Sequence, residues 1–438
     1  MQTIHIAGGG LAGAEAAWQA ARLGARVCLY EMRPGKQTPA HQTGDLAELV
    51  CSNSLRAASL ENAVGLLKEE MRRLDSLVMT AAEKHRVPAG GALAVDRHLF
   101  SREITAALEG HPRIATLREE VTEIPREGLW VLATGPLTSP ALAASLQEMT
   151  GREHLYFFDA AAPIVDGETV DPSRSFWASR YGKGEADYLN CPLTEEEYRA
   201  FYQALVEGET HKPKEFEDEA LFEGCMPVES LARRGYKTLL HGPMKPVGLT
   251  DPHTGDMPYA VAQLRKEDRE GRLLNMVGFQ TSLAWPEQKR VFSLIPALKE
   301  AVFLRLGVMH RNTFINSPRL LSATYQVRGR EDLFFAGQLT GVEGYVESAG
   351  SGLVAGINAF RRAAGREALA FPRETVLGAL SRYITEAPGE GFQPMKANFG
   401  LLPPLARRVK NRQQRNRELA ERSLARLEGF KDDLLNFA

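Results

Sequence analysis

A glycine-rich segment near the amino terminus limits the possible folds of this chain more than any other feature. It follows an apolar segment, precedes an alanine-rich one, and consists of Gly8, Gly9, Gly10, Leu11, Ala12 and Gly13. Glycines at this spacing let a strand turn sharply into a helix, so that a pyrophosphate can approach the N-terminus of the helix. The segment predicts a dinucleotide-binding unit rather than an ordinary glycine-rich turn.

The acidic residue Glu31 supports this interpretation. It directly follows the apolar run Val27–Tyr30 and lies 18 residues beyond Gly13, where such units place the acid that binds the adenosine ribose. The cofactor could be NAD or FAD. Two later segments favour FAD, namely a strand that ends in Ala133, Thr134 and Gly135 and a second strand, loop and helix that begin at Leu333.

The second of these segments is rich in small residues and leads into a helical pattern from Leu353 to Ala363. In flavoproteins of the glutathione-reductase type, such a unit brings a helix N-terminus up to the ribityl chain and the ring. We therefore expect FAD to connect the two ends of the chain. The predicted contacts in this segment are Gly337, Gln338, Gly344 and Tyr345.

The pattern of the chain predicts an α/β fold, in which a Rossmann-type, glutathione-reductase-like FAD-binding domain carries an inserted α+β domain. Residues 1–150 and 275–438 would form the two parts of the first domain, and residues 151–274 the insertion. A long helix is predicted from Leu60 to Met79 with Ser59 as its cap. A second, in the insertion, is predicted from Thr194 to Val206 with Thr194 as its cap.

The composition is ordinary for a soluble protein. The net charge is −2, and the chain contains no apolar run of the roughly 18 residues that span a bilayer. The first residues lack the pattern of a secretory signal, so we expect a cytoplasmic protein without a membrane partner. The four cysteines are too sparse for a disulfide scaffold and lack the paired spacing of a zinc site, so no metal is expected.

Two of the cysteines are candidates for chemistry. Cys51 lies in a polar segment from which it could reach the flavin, although a small buried side chain is the alternative. Cys225 lies in a Gly-Cys-x-Pro turn between acidic residues and shortly before two arginines, and the sequence leaves open which charges dominate. For Cys28, in an apolar strand, and Cys191, before a proline, packing is the favoured role.

A set of segments distributed over nearly the whole chain carries a more specific pattern. They are Gly8–Glu15, Tyr30–Pro34, Leu49–Arg56, Val131–Ser139, Asp187–Pro192, Glu223–Glu229, Gly242–Leu249, Gly278–Thr281, Glu287–Phe292 and Gly337–Tyr345. In these segments the chain resembles the TrmFO family, the folate- and FAD-dependent tRNA (uracil-5-)-methyltransferases. The nearest alternative is the related GidA-type flavoenzyme that modifies the tRNA wobble uridine. Its early cysteine lies in a sequence motif that differs from Cys51-Ser52-Asn53-Ser54-Leu55-Arg56 of this chain.

The resemblance implies a GidA-related fold and formation of 5-methyluridine at the T-loop uridine, position 54, of tRNA. It implies 5,10-methylenetetrahydrofolate as the carbon donor, FADH2 as the reductant, and NAD(P)H to regenerate it. By matching motifs, Cys51 and Cys225 take the two catalytic positions. We assign Cys225 the attack on uracil C6 and Cys51 a partner role near the flavin, with the reverse order open. Arg33 joins the residues expected to bind FAD.

Two further groups are predicted to bind substrates. Trp285, Lys289 and Arg290 could hold the folate, with a core tryptophan and a solvated charge pair as the alternative. A basic helix predicted from Leu405 to Leu427 could bind tRNA phosphates, with a simple solvated helix as the alternative. Its candidate contacts are Arg407, Arg408, Lys410 and Arg412. A small-molecule flavin oxidoreductase and a noncatalytic RNA-binding flavoprotein are the other functional classes considered.

Overall fold

Two β-sheets organise the described part of the chain. The computed structural model describes residues 2–150, 155–160, 162–182, 186–210, 226–267, 271–307, 309–387 and 392–435. Its helices are α1 (Leu11–Arg22), α2 (Ala63–Arg73), α3 (Leu77–Lys84), α4 (Arg97–Glu109), α5 (Pro140–Thr150), α6 (Glu195–Glu207), α7 (Val228–Arg233), α8 (Thr238–His241), α9 (Trp285–Phe292), α10 (Ser317–Leu320), α11 (Tyr345–Ala363), α12 (Val376–Glu386) and α13 (Arg412–Leu435).

The strands are mostly short and fall into four sheets. They are β1 (Ile4–Ala7), β2 (Val27–Tyr30), β3 (Ser54–Ala57), β4 (Arg86–Val87), β5 (Ala92–Val95), β6 (Ile114–Leu117), β7 (Leu129–Leu132), β8 (Leu155–Ala160), β9 (Ile164–Asp166), β10 (Phe176–Ala178), β11 (Tyr188–Leu193), β12 (Ala260–Lys266), β13 (Leu273–Met276), β14 (Phe303–Arg305), β15 (Met309–Phe314), β16 (Gln326–Val327) and β17 (Arg330–Phe335).

The first sheet has the order β16-β17-β7-β1-β2-β6 and contains strands from both ends of the chain. All its neighbours from β17 to β6 are parallel, with β1 between β7 and β2. Helices α1 and α11 pack closely. A Cβ at Gly352 would lie 2.1 Å from the Ala12 carbonyl oxygen, and one at Gly356 2.5 Å from that of Ala16. The predicted Rossmann-type α/β fold is confirmed.

The second sheet has the order β10-β11-β12-β13-β9-β14, and its neighbours are antiparallel. Helix α6 packs against it, with Tyr198 and Phe201 fully buried in the shared core. The predicted end of the insertion at residue 274 falls inside β13. Since β14 extends the sheet to Arg305, the domain division stays a prediction.

The single long helix predicted from Leu60 to Met79 is wrong. The structure has two helices, α2 and α3, separated at Asp75, whose φ is +56°. The Ser76 hydroxyl caps α3 by accepting from Met79 N–H, and it donates to the buried Glu15 carboxylate at 2.8 Å. The predicted cap Ser59 is also wrong, since α2 begins after Asn62.

Two other helix starts differ from the predictions. Helix α11 begins at Tyr345 rather than Leu353. Glycine is a poor helix former, but the glycines of this segment allow close packing on α1, and that packing stabilises the additional helical turns. The basic helix begins at Arg412 rather than Leu405 and continues to Leu435. The Asn411 side chain accepts from Gln414 N–H at 2.9 Å, which caps the helix at that point. None of the described helices combines the length and apolarity that a bilayer span requires.

The helix predicted at Thr194 is confirmed, and its cap allows a quantitative test. Thr194 Oγ1 accepts from Glu197 N–H at 3.3 Å, and the Glu197 carboxylate accepts from Thr194 N–H at 2.8 Å. We expect Thr194→Ala to lower the free energy of unfolding by about 1 kcal/mol. Denaturant unfolding would measure this loss, and Thr210→Ala, outside the helix, is the control. A wild-type midpoint for Thr194→Ala would contradict the assignment.

Candidate cofactor and catalytic site

The turn between β1 and α1 is built so tightly that two of its glycines are required by the backbone. Gly8 has a φ of +99°, and a Cβ there would lie 2.6 Å from the Ala133 carbonyl oxygen. A Cβ at Gly13 would lie 1.8 Å from the Gly8 carbonyl oxygen. Gly10 differs, since a Cβ there would meet no atom of the described residues within 4 Å. It is the N-cap of α1 and has no side-chain cap, so the N-terminus of α1 is open to a ligand.

The carboxylate of Glu31 connects the glycine turn to Arg33. Its oxygens accept from Gly9 N–H at 3.0 Å, from Arg33 N–H at 3.0 Å, and from Arg33 Nε and Nη2 at 2.9 and 3.1 Å. Burial acts to raise the pKa of Glu31, but the hydrogen bonds and charge of Arg33 outweigh it and lower the pKa. These four donors occupy the acceptor sites of a carboxylate. The contact of Glu31 with ribose therefore stays a prediction.

A groove runs along the carboxyl end of β1, where two cavities adjoin. The first, of about 560 Å³, is lined by Gly8, Glu31 and Arg33 among others. The second, of about 620 Å³, is lined by residues from both ends of the chain, namely Leu11, Ala12, Glu48, Val50, Gly337, Gln338 and Tyr345. Both cavities include Gly10, His41, Thr134 and Leu137, so they form one continuous groove.

The late glycine-rich segment places a second helix N-terminus at this groove. Gly344 is the N-cap of α11, with a φ of +115° and no side-chain cap. Gly337 has a φ of +79°, and a Cβ there would lie 3.0 Å from Ala12 Cβ. Gln338 lines the groove, and its amide donates to the Glu343 carboxylate at 2.7 Å. The groove therefore has two helix N-termini without side-chain caps, which suits an anionic dinucleotide.

Cys51 follows Val50 and contacts Tyr345, and both of these residues line the second cavity. Its Sγ is 2.9 Å from the Tyr345 hydroxyl, and its backbone N–H donates to the same oxygen at 2.8 Å. Burial, followed by the negative charge available to Cys51, raises the pKa of Tyr345 well above its usual value. The Tyr345 phenol therefore keeps its proton, which it can donate to the sulfur. Cys225 lies outside the described residues, and its role stays a prediction.

The other two described cysteines belong to strands. Cys191 is fully buried in the core of the second sheet, and burial raises the pKa of its thiol to about 12. It is an inert packing residue, as predicted. Cys28 is half-buried in β2 and pairs in register with His5 and Ala115.

The predicted folate residues lie on α9. Trp285 is 57% exposed, so the alternative of a core tryptophan is wrong. Arg290 pairs with Glu287 through two hydrogen bonds of 2.8 and 2.6 Å. Neither these two residues nor Lys289 lines the two cavities. Their role in folate binding stays a prediction.

The predicted tRNA contacts form an exposed basic segment. Arg407, Arg408 and Lys410 precede α13, and Arg412 is its first residue. Arg407 pairs with Glu418 at 2.8 Å. The described residues contain no group of three His, Cys, Asp or Glu side chains that could hold a metal ion.

Sequence and structure comparisons give consistent results. The model of the family named glucose inhibited division protein A matches residues 3–367. Relatives named methylenetetrahydrofolate–tRNA-(uracil-5-)-methyltransferase TrmFO include one from Moorella thermoacetica, 65% identical with 96% of both chains covered, and one from Heliobacterium modesticaldum, 63% identical with 98% of both covered. A third, from Brevibacillus brevis, is 60% identical with 99% of both covered.

A solved structure of GidA from Aquifex aeolicus is similar in fold. It matches with a TM-score of 0.69 and 18% sequence identity, over 99% of this chain and 76% of that one. An identity this low shows a shared fold alone. The two kinds of comparison therefore separate the fold, which is shared with GidA, from the much closer sequence similarity to the TrmFO relatives.

Proposed function

The chain belongs to the TrmFO family of methylenetetrahydrofolate–tRNA-(uracil-5-)-methyltransferases, and we infer that it methylates C5 of a uracil in tRNA. The uridine in question is that of the T-loop, position 54, which the sequence resemblance implies. The alternative function at the wobble uridine is less well supported, since the GidA structure is only 18% identical to this chain.

The observation that carries this proposal is the position of Cys51. Its sulfur lies against Tyr345, which lines the same groove as the glycines at both helix N-termini. A plain dinucleotide-binding site needs no thiol at this place. The arrangement therefore supports FAD-dependent chemistry in which a cysteine takes part, and it argues against a noncatalytic flavoprotein.

The residues of the groove fit FAD. The backbone N–H groups at the start of α1 would hold the pyrophosphate, and those at the start of α11 would face the other end of the cofactor. When bound and reduced, FAD supplies the hydride that turns a methylene group into a methyl group. We propose NAD(P)H as the source of these electrons.

The chemistry of the uracil ring explains why cysteines are needed. Uracil C5 is a weak nucleophile, but addition of a thiolate at C6 gives an enolate whose C5 can attack a one-carbon electrophile. We propose that Cys225 makes this addition. Cys51 acts at the groove, where the protonated Tyr345 hydroxyl orients its sulfur. Removal of the C5 proton by a base, with elimination of the thiolate from C6, then restores the C5=C6 double bond and the free cysteine.

The residues that bind folate and tRNA are likewise proposed. Trp285, Lys289 and Arg290 are offered for folate, and the exposed residues Arg407, Arg408, Lys410 and Arg412 for tRNA phosphates. Because contacts to phosphates release counterions, the affinity for tRNA should fall steeply with salt.

One assay tests the proposed function against its alternatives. The purified protein is incubated with unmodified tRNA, labelled methylenetetrahydrofolate and NADPH, and the nucleosides are then separated. We expect the label in 5-methyluridine, with no label when folate or tRNA is omitted. A small-molecule oxidoreductase would oxidise NADPH without labelling tRNA, and a wobble-modifying enzyme would label a different nucleoside.

A further inference from the structure

The loop that carries Cys51 is held by two arginines of the second sheet. Arg305 of β14 donates from Nη1 to the Val50 carbonyl oxygen at 3.2 Å. Arg265 of β12 donates from Nη2 to Ser52 Oγ at 2.9 Å. The residues on either side of Cys51 are therefore fixed by cations that come from outside the FAD-binding sheet.

A buried ion pair accompanies Arg305. Arg97, the first residue of α4, donates from Nε to Glu267 Oε2 at 2.7 Å, and its Nη2 lies 2.5 Å from the same oxygen as an ion pair without hydrogen-bond geometry. Arg97 is 7% exposed and Glu267 is 1% exposed. Glu267 Oε1 and Arg305 Nε and Nη2 are buried without a hydrogen-bond partner in the described part of the chain. Such orphaned polar groups require an explanation, because burying them is costly.

A neighbouring anion would compensate the burial of the Arg305 guanidinium. Burial, followed by repulsion from Arg97, lowers the pKa of Arg305 to about 10, while negative charge on Glu267, Tyr345 and Cys51 acts in the opposite direction. Tyr345 keeps its proton, and Glu267 is already paired with Arg97. Among these groups the Cys51 sulfur is therefore the anion left to balance Arg305. Interactions between charges are reciprocal, so Arg305 favours the Cys51 thiolate.

We propose that Arg305 is a positioning residue that holds Cys51 in its reactive thiolate form, and that Glu267 limits this effect. The ionisable groups that interact with Cys51 include Tyr345 on α11, Arg97 on α4 and Arg305 on β14, and Glu267 after β12 acts on both of these arginines. Arg265 of β12 adds a further positive charge at the neighbouring Ser52. The significance of the proposal rests on the proposed function of Cys51. The test of the proposal is independent of that function, because thiolate formation is measured without tRNA or folate.

The test is the pH dependence of alkylation in the FAD-bound protein. Wild type and variants react with iodoacetamide, an uncharged reagent, and mass spectrometry follows modification of Cys51 and Cys28. For Arg305→Met we expect the alkylation midpoint of Cys51 to rise by about one pH unit, which is a roughly 10-fold slower reaction below the midpoint. Arg305→Lys keeps the charge and should keep the midpoint close to that of wild type.

The opposite charge change gives a second, independent measurement. Glu267→Gln removes the anion that offsets Arg97, so the Cys51 midpoint should fall while that of Cys28 stays constant. A merely structural role would not move the midpoint in opposite directions in the two variants. If Arg305→Met does not fold, the Cys51 midpoint in Glu267→Gln still tests the proposal. An unchanged Cys51 midpoint in Glu267→Gln, or equal shifts in Arg305→Met and Arg305→Lys, would overturn the proposal.

Discussion

Replacing Gly13 with alanine is expected to weaken FAD binding by at least about 100-fold, or about 2.8 kcal/mol. The new Cβ would lie 1.8 Å from the Gly8 carbonyl oxygen, a backbone atom that cannot rotate away. Helix α1 would have to shift, and its N–H groups would leave the position from which they hold the pyrophosphate. Flavin absorbance of the purified variant, and titration of the apoprotein with FAD, would measure the loss.

Gly10 separates a loss of FAD binding from a failure to fold. In the described part of the chain a Cβ there would meet no atom within 4 Å, yet Gly10 lines both cavities of the groove. Gly10→Ala should therefore unfold at the wild-type temperature without FAD and bind FAD less tightly. Gly91→Ala, at an exposed glycine with equally open surroundings, should change neither property. Wild-type affinity for FAD in Gly13→Ala would contradict the cofactor assignment.

The parts of the fold that the sequence predicts well are those with strong local signals. The turn from β1 to α1 requires glycines at fixed spacing, and Thr194 begins α6 with a capping box that can be identified within four residues. The break at Asp75 has only a weak local signal, the capping residue Ser76. The apolar pattern runs through it unchanged, because α2 and α3 bury their faces in the same core. A search for Ser76 as a cap would have found it.

The arrangement of the site could be predicted only in part, because its decisive contacts join distant segments. The sequence predicts both Cys51 and Tyr345 as site residues, but their contact depends on the packing of α11 against α1. No local pattern indicates that Arg305 reaches the Val50 carbonyl oxygen from another sheet. An isolated arginine in a strand has the same sequence signature whether it is solvated or buried beside a thiol.

Replacing Cys51 with alanine is expected to reduce formation of 5-methyluridine by roughly 1,000-fold while FAD stays bound. The variant should keep the shape of the loop, because the backbone N–H groups of Cys51 and Ser52 donate to the Tyr345 hydroxyl at 2.8 and 3.3 Å whatever the side chain is. Removing the sulfur therefore removes chemistry rather than structure. Incorporation of labelled carbon into tRNA measures the first property, and flavin absorbance the second.

Cys28→Ala is the matched control for this loss. Cys28 is also a half-buried cysteine, but it lies within β2 between neighbouring strands, so its removal should leave methylation unchanged. We expect Cys225→Ala to behave like Cys51→Ala, with FAD retained and methylation lost. If Cys51→Ala methylates within about threefold of wild type, the thiol beside Tyr345 takes no part in the reaction. The contact of Arg305 with the loop that carries Cys51 would then need a structural explanation instead.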